Sequence, residues 1–379
     1  MYEFKIDFYQ NMLTIAILIV SYLIVFLVGS KSKKDTLIVT TLFFWHTMFS
    51  IAYFWYTLST SADAKKYYRI SLGNNFDFYP GSSFVYYITS FVSKGFDASY
   101  LNATLFFNLF GALGLVLLYK SLKNYLTALP WYWVFILFIP SMSFWSGGLG
   151  KDAISFFAIC LFLYSITSGK KMPLLVPIAF FLMFMVRPHI AFVMLVSYVI
   201  YFIIRAKVHL IFKMLTLPII GLGVLLSIGF VQQYVGLEES SLSSVADYID
   251  GRQGSNLGGG SSLDIASMSY PMQMFTYVFR PLPFEASSAV ALVTSLENTI
   301  LLLLFIYILF KSKFNFRPFI HDKNLWLLTY VFLTCTILAM TTANLGIATR
   351  QKWMFMPVLL YLLIYSFHNY KLNKSRIYQ

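Results

Sequence analysis

The side chains best suited to chemistry in this sequence are basic residues at the borders of its apolar segments. Arg187 and Arg350 each stand near the end of an apolar run, and Lys151 opens another. A guanidinium offers phosphate oxygens a planar fork of N–H donors, and an ammonium offers a compact charge. The pattern therefore predicts a site for a phosphate or diphosphate group. The residues assigned to this site are Arg69, Lys151, Arg187, Arg280, Arg350 and Lys352.

Acidic and imidazole side chains accompany these bases and could accept a proton. Asp63 opens a polar stretch after the second apolar run, and Asp152 and Glu285 each lie within a few residues of a basic site residue. His189 is included because the ordinary pKa of an imidazole lies near neutrality. The general base is predicted to be one of these four, and the sequence leaves the choice among them open.

Glu297 differs from the other acids because it lies inside an apolar run. An ionisable group within a membrane span is costly and is a functional candidate by default. The favoured interpretation here is structural, with Glu297 paired to a basic side chain and bracing the bundle. Spacings typical of metal ligands, such as His-x-x-x-His or a pair of cysteines, do not occur. The chemistry is therefore predicted to need neither metal nor cofactor.

Composition identifies the class of protein that must position these residues. Of the 379 residues, 59% are hydrophobic and 11% are charged, whereas soluble domains carry roughly a quarter charged residues. Apolar runs near the ~20 residues that cross a bilayer recur along the chain, and in lipid such runs must be helices. The net charge of +13 then predicts charge asymmetry across a membrane rather than a nucleic-acid partner.

The predicted fold is all-α, a polytopic bundle of about eleven transmembrane helices in one domain, 1–379. Clusters of Lys and Arg in alternate short loops favour a cytoplasmic location for those loops. This places the N-terminus outside and the C-terminus in the cytoplasm of a bacterial cytoplasmic membrane, with the active site facing out. The predicted spans are 11–29, 36–58, 100–119, 125–144, 152–168, 172–186, 189–204, 209–231, 287–310, 325–343 and 353–368.

Two outer segments, 59–99 and 232–286, are too long for simple connectors, and long loops in compact proteins are usually functional or disordered. The second contains a glycine-rich stretch, 251–262, which is predicted to act as a hinge so that the segment covers a site as a lid. Its aromatic part, 270–284, is expected to lie along the membrane interface. Aromatic side chains could also stack on sugar rings, namely those of Tyr67, Tyr68, Tyr79, Tyr86, Tyr87 and Trp145.

Five sequence stretches resemble the outer segments of bacterial polysaccharide polymerases of the Wzy and EpsG-like type. They are PSMSFWSGGLGKD at 140–152, MVRPHIA at 185–191, FRPLPFEA at 279–286, SLEN at 295–298 and ATRQKWMFMP at 348–357. The resemblance implies transfer of a growing glycan from one undecaprenyl diphosphate carrier onto the sugar of another lipid-linked unit, as in O-antigen, capsule or exopolysaccharide synthesis. Arg187, Arg280, Arg350 and Lys151 would then neutralise the leaving diphosphate. Membrane lipids and a chain-length regulator are the expected partners.

Three other functions remain open on the sequence. A multispan glycosyltransferase that takes one sugar from a polyprenyl phosphate would use an outer acid soon after an early span, which suits Asp63. A ligase for lipid-linked glycans would share nearly all of these features. A transporter or flippase would need polar groups along a path through the membrane, and Glu297 is the main residue of that kind.

Overall fold

The computed structural model describes residues 7–60, 62–169, 172, 174–205, 209, 211, 214–216, 218, 221–222, 242–255, 261–286 and 288–377. Within these ranges the regular secondary structure is helical and there is no β-strand, so the all-α prediction is confirmed. The chain was predicted as a single domain, and its internal contacts form two compact units, Met1–Arg187 and Pro188–Gln379.

The first unit contains eight α-helices among its described residues: α1 Phe8–Gly29, α2 Lys33–Ser59, α3 Asp63–Ser71, α4 Ser82–Ser93, α5 Tyr100–Leu126, α6 Pro140–Ser146, α7 Lys151–Thr167 and α8 Leu175–Val186. A 3-10 helix, Trp131–Leu137, precedes α6. Helix α5 lies at the centre of the unit, where it packs against α1, α2 and α7. It is buried on most of its circumference, as expected of a helix that is apolar on every side.

Side-chain caps fix where several of these helices begin. Asp7 accepts a hydrogen bond from the backbone N–H of Gln10 at the start of α1. Ser32 caps α2 through the N–H of Asp35, and Ser99 caps α5. These residue types are favoured at N-caps because a short side-chain oxygen satisfies an N–H that lacks an intrahelical partner. Helices α1, α2 and α5 were predicted as spans, and they begin at sites set by local sequence.

The second unit contains, within the described ranges, α9 Pro188–Arg205, α10 Leu242–Ser255, α11 Tyr270–Phe279, α12 Ala289–Lys311, α13 Arg317–Ile320, α14 Asn324–Thr341, α15 Leu345–Gln351 and α16 Met356–Ile377. Short 3-10 helices occupy Pro283–Glu285 and Lys352–Met354. Helix α14 packs against α9, α11 and α16, and α12 also packs against α16. An isolated antiparallel bridge between Ser262 and Asn344 ties the chain before α11 to the turn between α14 and α15.

Five helices among the described residues are long and apolar enough to cross a membrane by length and composition: Phe8–Gly29, Lys33–Ser59, Tyr100–Leu126, Ala291–Lys311 and Asn324–Thr341. Shorter apolar helical stretches occupy Trp131–Ser146, Leu175–Val186 and Pro188–Ile204. The chain therefore has the character of a helical membrane protein. The count of about eleven spans and the orientation of the chain remain predictions.

The predicted span 125–144 is not one helix. The end of α5, the 3-10 helix Trp131–Leu137 and the short α6 share this stretch. Pro130 and Pro140 account for the breaks, because proline lacks the N–H that continues a helix and is tolerated in its first turn. Pro140 occupies that position in α6. Most of the predicted span 209–231 lies outside the described residues, and the last predicted span corresponds to α16, which continues to Ile377.

Both long outer segments contain helices. The segment 59–99 holds α3 and α4, which pack against each other. In the segment 232–286, α10 extends through Ser255, so the first part of the predicted glycine hinge is helical. Residues 232–241 and 256–260, including the rest of the glycine run, lie outside the described residues. The lid function of this segment stays a prediction.

At one end of the first unit lie Lys120 and Lys123, two of the basic residues that were predicted to share a membrane face. Asp35 near the start of α2 is fully buried, and its carboxylate lies 2.7 Å from the Lys123 ammonium on α5. Tyr119 donates a second hydrogen bond of 2.7 Å to the same carboxylate. Lys120 donates to the carbonyl oxygen of Val28 at the end of α1. The loop between α1 and α2 and the end of α5 therefore lie together.

Candidate functional site

The opposite end of the first unit contains a buried ion pair between two of the predicted site residues. The Arg187 guanidinium, directly after α8, donates a hydrogen bond of 2.7 Å from Nη2 to the Asp152 carboxylate in the first turn of α7. The two side chains are 10% and 12% exposed. The buried Nε of Arg187 has no hydrogen-bond partner among the described residues. The guanidinium is therefore held on one side, and its Nε is still able to donate to an acceptor.

Lys151 is the first residue of α7 and lies half-buried beside this pair. No side chain caps α7, because Gly150 occupies the N-cap position. The first N–H groups of a helix carry partial positive charge, and an anion near them is favoured. We call Lys151, Asp152 and Arg187 the Arg187 cluster. It combines two cationic side chains with a helix N-terminus, and one acid offsets part of their charge.

The glycine-rich turn that leads into α7 packs tightly on α2. Gly148 lies against the Tyr53 ring so closely that a Cβ atom at this position would overlap the ring. The Ser50 hydroxyl donates a hydrogen bond of 2.7 Å to the carbonyl oxygen of Gly147. The glycines of the SGGLGKD stretch therefore permit a close approach of backbone to helix, and this brings the start of α7 to a fixed place on α2.

Helix α3 presents Asp63 and Arg69 at the surface of the same unit. Both side chains are exposed, whereas Tyr67 and Tyr68 between them are buried in the core. The Tyr68 hydroxyl donates to the carbonyl oxygen of Ala98, and burial together with the charge of Asp97 raises the pKa of Tyr68 to about 12. The two tyrosines thus anchor α3, so that Asp63 and Arg69 occupy fixed points on its exposed face.

The first outer segment is also joined to the chain around Arg187. The N–H of Gly81, just before α4, donates a hydrogen bond of 2.8 Å to the carbonyl oxygen of Met185. Met185 and Val186 belong to the same hydrophobic cluster as Tyr67 and Leu149. This cluster joins α3, α4, the turn before α7 and the end of α8. Two of the stretches with a family resemblance, 140–152 and 185–191, therefore meet in the first unit at the Arg187–Asp152 pair.

In the second unit, Arg280 is held by Glu285. Nε of Arg280 donates a hydrogen bond of 2.8 Å to the Glu285 carboxylate, and Nη2 donates to the same oxygen. The other carboxylate oxygen accepts from the N–H of Leu282 at 2.7 Å. Burial would raise the pKa of Glu285, but these hydrogen bonds and the Arg280 charge lower it below its ordinary value. A carboxylate stabilised in this way is a weak proton acceptor.

Asn298 and Lys352 support the loop around Arg280 through a chain of two hydrogen bonds. The Asn298 amide donates to the carbonyl oxygen of Pro281 at 3.2 Å, and its oxygen accepts from the ammonium of Lys352. Asn298 is fully buried and Lys352 is 1% exposed. Burial lowers the pKa of Lys352 to about 8, and the negative charge of Glu297, which is 8% exposed, offsets part of this fall. Lys352 was predicted to bind diphosphate, and the structure places it inside the unit, bonded to a neighbouring helix.

These contacts also show how far the loop around Arg280 extends along α12. Asn298 is about nine residues, or about 14 Å, beyond the start of α12, and the Phe279 and Phe305 rings are 5.7 Å apart. At its other end, α11 begins where the Tyr270 hydroxyl lies 2.7 Å from that of Thr336 on α14. Residues 270–286 therefore form a hairpin, which we call the Arg280 hairpin, that runs alongside the first part of α12 as far as Asn298. The interfacial position of 270–284 stays a prediction.

The remaining predicted site residues, His189 and Arg350, also lie in the second unit. His189 is half-buried in the first turn of α9, and Arg350 is half-buried near the end of α15. Three resemblance stretches, 279–286, 295–298 and 348–357, meet in this unit through Pro281, Asn298 and Lys352.

The polar residues that support these clusters were not predicted from the sequence. Asn298 lies within the SLEN stretch, and His46, Ser50 and Asn108 are each a lone polar residue in an apolar run, which carries little signal by itself. The spacing of His46 and Ser50, one helical turn apart on α2, was a usable signal because such residues share a face.

Among the described residues, no group of three or more His, Cys, Asp or Glu side chains is arranged to hold a metal ion. No protein-family model matches the chain, and comparisons with curated proteins and with solved structures also give no match.

Proposed function

We propose that this protein is a membrane glycosyltransferase of the polysaccharide-polymerase type. It would transfer a glycan from one undecaprenyl diphosphate carrier to a second lipid-linked unit at the outer face of a bacterial cytoplasmic membrane. The observation that carries the proposal is the Arg187 cluster, where a buried guanidinium with an unpaired Nε lies beside an uncapped helix N-terminus. This combination suits a phosphate group.

In the proposed reaction, an acceptor hydroxyl attacks the anomeric carbon of the donor glycan. The bond from that carbon to the diphosphate oxygen breaks, and the electron pair leaves on the diphosphate. Arg187 and Lys151 would bind the leaving group and stabilise the charge that develops on it, which is where an enzyme gains most. Arg69 of the first unit, and Arg280 and Arg350 of the second, are further candidates for phosphate binding, each within its own unit.

A general base must take the proton of the acceptor hydroxyl. Glu285 is bonded to Arg280, and its lowered pKa makes it a weak proton acceptor. Asp152 is bonded to Arg187, so one of its carboxylate oxygens is already engaged. Asp63 is exposed in the first turn of α3, and His189 is half-buried at the start of α9. Of the four candidates, Asp63 and His189 are therefore preferred as the base, and Asp152 and Glu285 as residues that hold arginines in place.

A single-sugar glycosyltransferase is the second candidate, and the exposed position of Asp63 favours it. Helix α3 follows α2 after a short turn, so Asp63 is an outer acid soon after an early span. A lipid-glycan ligase would use the same groups. A transporter is the third candidate, and the buried pair of Glu297 and Lys352 is the observation that favours it, because charged groups along a transport path are expected inside the membrane.

The experiment compares surface glycan in a deletion strain that carries either an empty vector or this gene. Accumulation of single lipid-linked repeat units without the gene, and a restored ladder with it, would support polymerisation. Repeat units that lack one sugar would indicate the single-sugar transferase, and full-length glycan retained on its carrier would indicate the ligase. An unchanged ladder would overturn all three enzyme proposals. The same strain, with and without candidate regulators, would test for a chain-length partner.

A further inference from the structure

Two buried side chains of helix α2 form hydrogen bonds with the turn that precedes α7. His46 Nε2 lies 2.9 Å from the Ser146 hydroxyl at the end of α6. One turn further along α2, Ser50 donates to the carbonyl oxygen of Gly147 at 2.7 Å. His46 and Ser50 are fully buried, and Ser146 is 1% exposed. Two consecutive residues of the turn are thus bonded to one face of α2.

Helix α5 also contacts His46 and fixes the position of its ring. Its Nδ1 lies 2.6 Å from the side-chain amide of Asn108, which in turn donates to the Thr47 hydroxyl at 2.9 Å. Gly111 of α5 packs against both the His46 ring and the Ser146 carbonyl, so closely that a Cβ atom would overlap them. Helices α2, α5 and α6 therefore meet at His46 without space for a side-chain shift.

The row of Ser146, His46 and Asn108 has the residue types of a nucleophilic triad, but the Ser146 hydroxyl faces only the chain itself. It lies 2.6 Å from the carbonyl oxygen of Met142 and 2.9 Å from His46 Nε2. A nucleophilic serine must also reach a substrate. Ser146 is also buried beneath Gly111. The row is therefore suited to holding the chain rather than to attacking a substrate.

We infer that His46 and Ser50 are positioning residues for the Arg187 cluster. The turn from Gly148 to Gly150 separates the two bonded residues from Lys151 and Asp152. Its path is constrained further by the close contact of Gly148 with Tyr53. Fixing Ser146 and Gly147 on α2 therefore sets the position of the α7 N-terminus, and with it the Asp152 carboxylate that holds Arg187. The role in catalysis rests on the proposed function; the role in placing α7 does not.

The first test measures the position of the α7 N-terminus without using activity. A Lys151→Cys reporter in detergent-solubilised protein is modified with a charged thiol reagent, and the native Cys160 and Cys335 are buried and give little background. His46→Ala and Ser50→Ala are added to this reporter. We expect each to raise the modification rate by up to about tenfold, the factor that loss of a net hydrogen bond can give in an opening equilibrium.

The matched control is Thr57→Val on the same helix. Thr57 is fully buried, and its hydroxyl lies 2.8 Å from that of Tyr100, away from the turn. We expect it to lower the melting temperature as much as Ser50→Ala and to leave the modification rate unchanged. Equal rates in all three variants, or rates that follow melting temperature alone, would overturn the inference. Ser50→Ala removes one hydrogen bond, so the test stands even where His46→Ala does not fold.

The second test uses the same substitutions in the chain with native Lys151. Ser50→Ala should reduce glycan extension, and the loss should lie mainly in KM for the lipid-linked unit if the diphosphate site is displaced. Thr57→Val should extend glycan normally. If deletion of the gene leaves the glycan ladder unchanged, the proposed function fails while the thiol result still decides the positioning role. A changed thiol rate with unchanged KM and kcat would reject the role in catalysis.

Discussion

The ammonium of Lys352 donates a hydrogen bond to the side-chain oxygen of Asn298, and both residues are shielded from solvent. The side-chain N–H of Asn298 donates a second hydrogen bond to the carbonyl oxygen of Pro281. Lys352 was predicted from the sequence to bind a diphosphate. In the structure it instead supports the Arg280 hairpin from inside the second unit. Its charge acts on the Arg280 hairpin through one intermediate side chain.

We expect Asn298→Leu to destabilise the protein by about 3 kcal/mol, because it leaves a buried ammonium and a buried carbonyl oxygen without their partner. The double variant Asn298→Leu with Lys352→Met should recover part of this loss, since it removes the uncompensated charge. Melting temperatures in one detergent, arranged as a double-mutant cycle, measure the coupling. If the losses of stability from the two substitutions simply add in the double variant, the hydrogen bond between Asn298 and Lys352 is contradicted.

Arg187 and Asp152 allow stability to be separated from function. We expect Arg187→Ala to reduce glycan extension by about 10²-fold or more and to destabilise the unit, because the Asp152 carboxylate loses its partner. Replacing both residues by leucine should restore much of the melting temperature without restoring extension. Extension that recovers together with stability would show that the pair only braces α7 and α8.

The Glu285 pKa predicts a pH dependence of stability. Because the pKa of Glu285 is lowered in the folded protein, its contribution is present above the ordinary carboxyl pKa of 4.5 and is lost as pH falls through the lower, folded value. The difference in melting temperature between native protein and Glu285→Gln should therefore be largest near neutral pH and should shrink below pH 4.5. A difference that is constant with pH would argue against a charged Glu285.

The proposed orientation can be tested with exposed single-cysteine reporters. Asn75 in the first outer segment and Asn315 between α12 and α13 are both exposed. On intact cells, a cysteine at Asn75 should react with an impermeant thiol reagent, and one at Asn315 should react only after lysis. Labelling of Asn315→Cys without lysis would place that loop outside and reverse the predicted topology.

The sequence was sufficient to predict the helices whose stability is local. Helices α1 and α2 combine long apolar runs with N-caps at Asp7 and Ser32, so composition and capping indicate the same element. The break at Pro140 was also encoded locally, but the apolar run around it favoured a span. Hydropathy averages over residues and does not register the missing N–H of a single proline.

The sequence was enough to select the residue types of the candidate site, but it did not predict which residues contact each other. Arg187 and Asp152 were both selected for their chemistry, yet their ion pair joins residues on different helices, and no spacing rule predicts it. Lys352 was assigned to the outer surface because it adjoins an apolar run, whereas the short α15 carries it back into the unit. Its burial depends on tertiary packing against Asn298.

The depth of the turn before α7 has a consequence for the energetics of binding. Gly147 contacts Ser50, about nine residues or about 14 Å before the end of α2, which is about a third of that helix. Moving one elementary charge across a membrane potential of ~100 mV changes its energy by ~2.3 kcal/mol. With the orientation proposed here, a cytoplasm-negative potential would oppose entry of an anionic headgroup over about a third of that field. Occupancy of the site would then depend on the voltage across the membrane, and de-energised cells would bind the lipid diphosphate more tightly.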